Sequence, residues 1–339
     1  RIVPVLLEDC DTRDIHLRLP RIQYVDFREV NDDSRRRLLA CWNVEYHSAA
    51  RFHLRRHSLG DRYLIGEPSS AADFVAEHLG EDTVLKRSVL IKYDRSERAL
   101  GDRTLGPVAT EALAIGSLVH PSIPRAFDLA HDVELGLYSV LEHVPGTSLR
   151  HWLKDKGQLP VCDAIDLLVP LCEAVHYANE HGIIHRNIKP GSIIVGENGR
   201  PFLTNFIIAK MSGYPENEEG PGRIVGTPSY MAPEQCTGGP DIDCRSDVWG
   251  LGVVLYELLT TRVPFHRDDI GQRLVAIIES IMHVQPRPPS EYNQRTPKAL
   301  EQICMKCLEK DRAHRYPTAL ELAVALTAFR PTKGREPRL

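Results

Sequence analysis

Cys304 and Cys307 stand in a C-x-x-C arrangement, the spacing that supplies half of a tetrahedral zinc site. No second pair with matching spacing completes it among Cys10, Cys41, Cys162, Cys172, Cys236 and Cys244. Both cysteines also fall on an apolar helical stripe with Leu300, Ile303 and Leu308, so core packing is the expected role. Cys236 and Cys244 flank Gly238-Gly239-Pro240 in a loop, and a metal is not expected there either. Scattered thiols in a chain of this size read as reduced, in a cytoplasmic setting. The arginines at 35–37, with Arg51, Arg55 and Arg56, are a chemistry-capable cluster that could hold phosphate or lipid. They read instead as solvated helix faces. A net charge of −4 gives no global basic field for nucleic acid or an anionic membrane, so no nucleic-acid partner is expected. No apolar run approaches the ~18 residues of a membrane span.

The elements that must position any site come next. With 339 residues the chain is long enough for about two domains, and 42% hydrophobic with 26% charged residues is a globular composition. Residues 1–42 read as strand, loop, strand, helix: Ile2–Leu7, Ile22–Phe27, then a helix started by Asn31. That is an α/β fragment too small to close a core. Residue 1 is Arg and a strand starts at once, so the chain reads as a piece of something longer. Residues 43–60 read as a linker. From Asp61 on, strand candidates come first: Tyr63–Ile65, Ser88–Lys92 and Leu137–Leu141, interrupted by one helix near Val108–Leu118. After Gly146 the pattern is helical. Asp163–Gly182 reads as a helix that Pro170 should kink, and Val248, Leu251, Leu255 and Leu258 share one helical face. A strand-rich half followed by a helix-rich half points to two lobes of an α+β domain.

Several segments in this larger part resemble protein kinases. His185-Arg186-Asn187-Ile188-Lys189-Pro190 resembles the catalytic loop, and Thr204-Asn205-Phe206-Ile207 sits where Asp-Phe-Gly is expected. Gly226–Glu234 (Gly-Thr-Pro-Ser-Tyr-Met-Ala-Pro-Glu) is similar to the end of an activation segment. Ser246–Val253 matches the buried helix after it, and Val89-Leu90-Ile91-Lys92 stands in for Val-Ala-Ile-Lys. The style is that of bacterial eukaryotic-like Ser/Thr kinases. The resemblance covers residues 61–330 and implies a small β-rich N-lobe (61–146), a large helical C-lobe (147–330) and a tail (331–339).

The resemblance implies ATP and Mg²⁺ as ligands, but the matching residues depart from what phosphoryl transfer uses. Asn187 replaces the catalytic Asp; an amide can orient a hydroxyl but cannot take a proton near pH 7. Asn205 and Ser192 stand at the two Mg²⁺-ligand positions, where a hard cation favours carboxylates. Gly66-Glu67-Pro68-Ser69-Ser70-Ala71 is expected at the glycine-rich loop, with Asp73 where the family packs a Val on adenine. Leu90 replaces an Ala and would fill part of the adenine pocket. Leu141, Glu142, Val144 and Ile194 stand at the other ATP-pocket positions. Ile207 stiffens a backbone that usually flips. Lys92, Glu111, His185, Arg186, Lys189, Phe206, Glu234, Asp247 and Arg315 are retained, so the scaffold is expected intact while ATP and Mg²⁺ bind weakly or not at all. The 214–222 segment, with Glu216, Glu218 and Glu219, reads as a solvated acidic activation loop.

Residues 1–42 resemble the C-terminal end of a Toll/interleukin-1 receptor (TIR) domain, of flavodoxin-type α/β build, on Val3–Cys10 and Ile22–Phe27. That family's catalytic glutamate would lie upstream of residue 1. The resulting expectation is a cytoplasmic bacterial pseudokinase, a signalling scaffold or switch behind a TIR domain, with protein partners and self-association through the TIR part. The alternatives are an active atypical Ser/Thr kinase and a domain that binds ATP without transfer.

Overall fold

The computed structural model describes residues 58–71, 75–94, 106–132, 135–206, 210–211, 227–238, 242–265 and 274–330, with two dipeptide strands near the start of the chain. The chain divides into two units, 1–57 and 58–339. In the first, β1 (Val5–Leu6) and β2 (Val25–Asp26) pair in parallel, Val5 opposite Val25. The rest of the TIR-like stretch, the helix expected after Asn31 and the linker up to residue 57 lie outside the described residues, as does the 331–339 tail.

The second unit opens with β3 (Ser58–Leu59), β4 (Tyr63–Ala71), β5 (Val75–Asp82) and β6 (Arg87–Asp94). Helix α1 (Pro107–Gly116), with Pro107 in its first turn where no N–H is needed, precedes β7 (Ala126–Asp132) and β8 (Gly136–Glu142). The strands form one antiparallel sheet in the order β3-β4-β5-β6-β8-β7. Alternation dictates its two faces: along β6, Val89 and Ile91 are buried on one side while Leu90 and Lys92 point to the other. The β5–β6 turn is fixed by Asp82, whose carboxylate accepts the Val84 and Leu85 N–H groups at 3.2 Å each.

The remainder is helical with short hairpins. After β9 (Gly146–Ser148) comes α2 (Leu149–Lys156), started by the Ser148 hydroxyl accepting from His151 N and stopped by Gly157 at φ +72°. Helix α3 (Val161–Glu180) runs unbroken across Pro170. Then come β10 (Ile183–Ile184), β11 (Ile193–Gly196), β12 (Pro201–Leu203) and β13 (Lys210–Met211). Strand β11 pairs with both β9 and β12, and β10 pairs with β13. The C-terminal helices are α4 (Pro233–Cys236), α5 (Arg245–Thr260), α6 (Leu274–His283), α7 (Pro289–Tyr292), α8 (Lys298–Cys307) and α9 (Ala319–Phe329). None among the described residues is long and apolar enough to cross a membrane.

Helix α5 differs from its sequence expectation. It is buried all round, not along the single face of Val248, Leu251, Leu255 and Leu258. Its glycines explain the tight enclosure. A Cβ on Gly250 would sit 3.0 Å from Ile188 Cβ, and one on Gly252 only 2.4 Å from Cys307 Cβ. Cys304 and Cys307 are fully buried here, their thiols directed to the Gly252 and Ile303 carbonyls, which is the core role expected of them. One continuous apolar core reaches from Ile115 and Leu141 to Leu326.

Candidate functional site

Lys92 is the residue around which the site assembles. Strand β6 turns it into the cleft, where it is 2% exposed. Helix α1 presents Glu111, whose Oε2 accepts from Lys92 Nζ at 2.9 Å. The turn after β12 presents Asn205, held at φ +65°, whose Oδ1 also accepts from Nζ at 2.9 Å. Strand β5 presents Glu77, directly opposite Lys92 in the ladder, with Oε1 again 2.9 Å away. Burial pulls the lysine pKa down, but Glu111 and then Glu77 outweigh it, and the net shift is upward. The second oxygen of Glu111 accepts the Asn205 backbone N–H at 2.9 Å, so one carboxylate ties the sheet-bearing lobe to the helical one.

The loop His185–Lys189 is held from below by α5. The buried Asp247 carboxylate accepts the backbone N–H groups of His185 (3.0 Å) and Arg186 (2.9 Å) and the Asn179 side chain (2.9 Å). Its grip fixes Arg186 at φ +63°, a backbone region costly for a residue with a Cβ. His185 is buried edge-on against Phe206, ring centroids 4.5 Å apart, with Nε2 on Thr204 O and Nδ1 accepting Asn187 N. Burial lowers its pKa although Asp247 opposes the shift. Lys189 donates to Thr227 Oγ1, and burial lowers its pKa. Beneath the loop, Arg315 makes a two-pronged pair with Glu234 at 2.7 and 2.8 Å.

The two positions expected to hold Mg²⁺ are both engaged within the protein. The fully buried Ser192 Oγ donates to the Asn187 carbonyl at 2.8 Å. Asn205 Oδ1 is engaged by Lys92. Asn187 is buried, and its Oδ1 has no protein partner. Of the residues expected around adenine, Leu90 lies opposite Leu141 across β6 and β8 and packs on the core, with Val144 nearly buried. Glu142 uses its Oε2 on the Arg125 N–H at 3.1 Å. Ile194 sits in β11 between Ser148 and Phe202.

Gly66–Ala71, expected in place of the glycine-rich loop, continue β4 and pair with β5, with register shifts on either side of Pro68. The ladder tolerates a proline at such irregularities. The Gly66 carbonyl is bonded by the buried His78 ring at 3.1 Å. Asp73, Ile207 and the acidic 214–222 segment lie outside the described residues. The residue facing Lys92 is Glu77, which sequence reasoning missed. Its signal was the hairpin register: a four-residue turn at 83–86 pairs Asp82 with Arg87, and five steps back from each gives Glu77 and Lys92.

The family's nucleotide and Mg²⁺ therefore fit these residues poorly. A lysine has three N–H donors, and three oxygens of this chain already lie 2.9 Å from Nζ. Neither metal position carries a carboxylate.

A two-lobed architecture, a buried lysine–glutamate pair within the sheet-bearing lobe and a loop hung on a buried Asp define a class, and sequence comparison agrees. The profile of the protein kinase domain matches residues 66–324, and the chain belongs to the protein kinase family. Several relatives are bacterial. It is 32% identical to the serine/threonine-protein kinase PknB of Mycobacterium leprae over 282 residues, 82% of this chain and 44% of that protein. It is 31% identical to the serine/threonine-protein kinase PrkC of Bacillus subtilis over 283 residues, 83% of this chain and 42% of that protein. The chain thus spans about two fifths of the length of the curated relatives it matches. The family implies ATP and Mg²⁺ for such relatives; the residues above are where this chain departs.

Proposed function

We propose that this kinase-family domain of the Ser/Thr type is a pseudokinase, which signals by binding protein partners and not by transferring phosphate. One observation carries the reading: the position that should supply a carboxylate to Mg²⁺ is Asn205, and its side-chain oxygen is bonded to Lys92. Asn187 and Ser192 extend it, since neither can act as a base or as a hard-cation carboxylate near neutral pH. The preserved pairs Lys92–Glu111 and Arg315–Glu234 support a rigid docking body. The setting proposed is cytoplasmic, in a bacterial signalling protein whose residues 1–42 end a TIR-like domain through which copies self-associate. That last part rests on the sequence motifs alone, because the family profile begins at residue 66.

A second reading is favoured by the comparisons: an active Ser/Thr kinase, since the relatives carry that name. One experiment separates the two. The purified chain is incubated with labelled ATP and Mg²⁺ or Mn²⁺, alone and with casein. The pseudokinase reading expects no incorporated phosphate, and transfer that is lost in Lys92→Met overturns it.

A further inference from the structure

The cluster around Lys92 contains one cation and two carboxylates, Glu77 and Glu111, at equal 2.9 Å distances, with an amide oxygen completing the donor count. Glu111 and Asn205 are bound to each other as well as to Lys92, so they form a closed triangle. Glu77 is different. It comes from the opposite strand and is the more exposed of the two carboxylates, at 19% against 2% for Glu111. It therefore stands on the side from which a ligand would approach the ammonium. An anion arriving there meets a lysine already hydrogen-bonded to Glu111 and Asn205 and ion-paired with Glu77, and a local charge of −1, counted as one ammonium against two carboxylates.

We infer that Glu77 is a built-in anion that occupies Lys92 and makes this cleft reject phosphate-bearing ligands. The inference rests on the catalytically silent reading above and extends it from transfer to binding. Exclusion by charge differs from exclusion by shape. Leu90 narrows the space for a purine, but it does nothing to a ligand without a ring. Inorganic tripolyphosphate therefore isolates the charge effect.

The test is calorimetric titration of the full chain with tripolyphosphate, and separately with ATP, each with and without Mg²⁺. The wild type is expected to bind neither at millimolar concentration. Glu77→Gln keeps the shape and a hydrogen-bonding oxygen while removing the charge. A unit charge in contact with an incoming anion is worth roughly tenfold or more in affinity, so Glu77→Gln should bind tripolyphosphate at least about tenfold more tightly. The gain should disappear in Glu77→Gln combined with Lys92→Met. Three results overturn the inference: saturable tripolyphosphate binding by the wild type, no gain in a folded Glu77→Gln, or a gain that survives loss of Lys92. Saturable tripolyphosphate binding by the wild type overturns the inference whether or not a variant folds. Phosphate transfer by the wild type sinks both readings; polyphosphate binding without transfer sinks only this one.

Discussion

Lys92 donates a 2.9 Å hydrogen bond to the side-chain oxygen of Asn205, a residue 113 positions later in the chain. A neutral amide suffices there because Glu111 and Glu77 already answer the ammonium charge. An aspartate at 205 would add a third carboxylate to one lysine in a buried setting, which burial makes unfavourable.

That relationship sets the outcome of restoring the missing acids. Asn187→Asp with Asn205→Asp returns the base and the metal carboxylate by type, yet leaves Glu77 on Lys92 and Leu90 beside Leu141. The double variant should gain less than about tenfold in labelled phosphate transfer, against the ~10²–10⁴-fold typical of a positioned acid–base group. Adding Glu77→Gln should produce a larger gain than the double variant alone. Robust transfer by the double variant without Glu77→Gln would show that the cleft had remained open to nucleotide.

The pair beneath the loop predicts a stability loss. Arg315 is 2% exposed, and its guanidinium also reaches the Glu309, Lys310 and Arg245 carbonyls. Removing one partner of such a buried pair costs roughly 3–5 kcal/mol. Arg315→Ala should therefore lower Tm by about 6–15 °C for a domain of this size. A calorimetric melt unchanged within two or three degrees would mean that the pair is not holding the lobe.

The sequence made some of this site legible and hid the rest for physical reasons. Lys92, Asp247 and the Glu234–Arg315 pair were readable because each sits inside a short motif whose neighbours announce it. Helix α3 was readable through its apolar spacing, and it continues across Pro170. Glu77 was not readable from any motif. Its role depends on which residue of β5 falls opposite Lys92, and register is decided by the length of the turn at 83–86. The burial of α5 was implied by the kinase resemblance, while the stripe of Val248, Leu251, Leu255 and Leu258 taken alone pointed to one face.

The glycines of α5 predict an overpacking effect. On propensity alone, Gly252→Ala should stabilise an exposed helix by up to about 1 kcal/mol. Here the new methyl would meet Cys307 Cβ at 2.4 Å and Leu308 Cδ2 at 3.3 Å, so α5 and α8 must separate. Forced core insertions cost typically ~1–3 kcal/mol, which exceeds the propensity gain. Gly252→Ala should lower the denaturant midpoint, and Cys307→Ala, which keeps its own Cβ, should not rescue it. An unchanged or raised midpoint would place α8 farther from α5 than the contact distances indicate.

His185 predicts how the fold responds to acid. Its two ring nitrogens have fixed partners: Nε2 faces the Thr204 carbonyl, so it must carry the proton, and Nδ1 faces the Asn187 N–H, so it must be bare. Only the neutral ring satisfies both. Burial accordingly holds its pKa below the ordinary value of 6.5, with Asp247 as the opposing influence. Between the lowered folded pKa and 6.5 the unfolded chain binds more protons than the folded one, so stability rises with pH across that window and is lost as pH falls through it. Tm should decline from pH 7 toward pH 5. Glu234 is held below the usual carboxylate range because the Arg315 pair outweighs burial, so its share is lost only below about pH 4.5. The two windows are therefore separable. His185→Gln, whose amide can still donate to Thr204, should start less stable at pH 7 but fall less steeply to pH 5. Nitrogen-detected magnetic resonance should find a neutral Nε2–H ring at pH 6 in the folded protein. A doubly protonated ring at that pH would mean that Asn187 N has another acceptor and that the loop is not held as described.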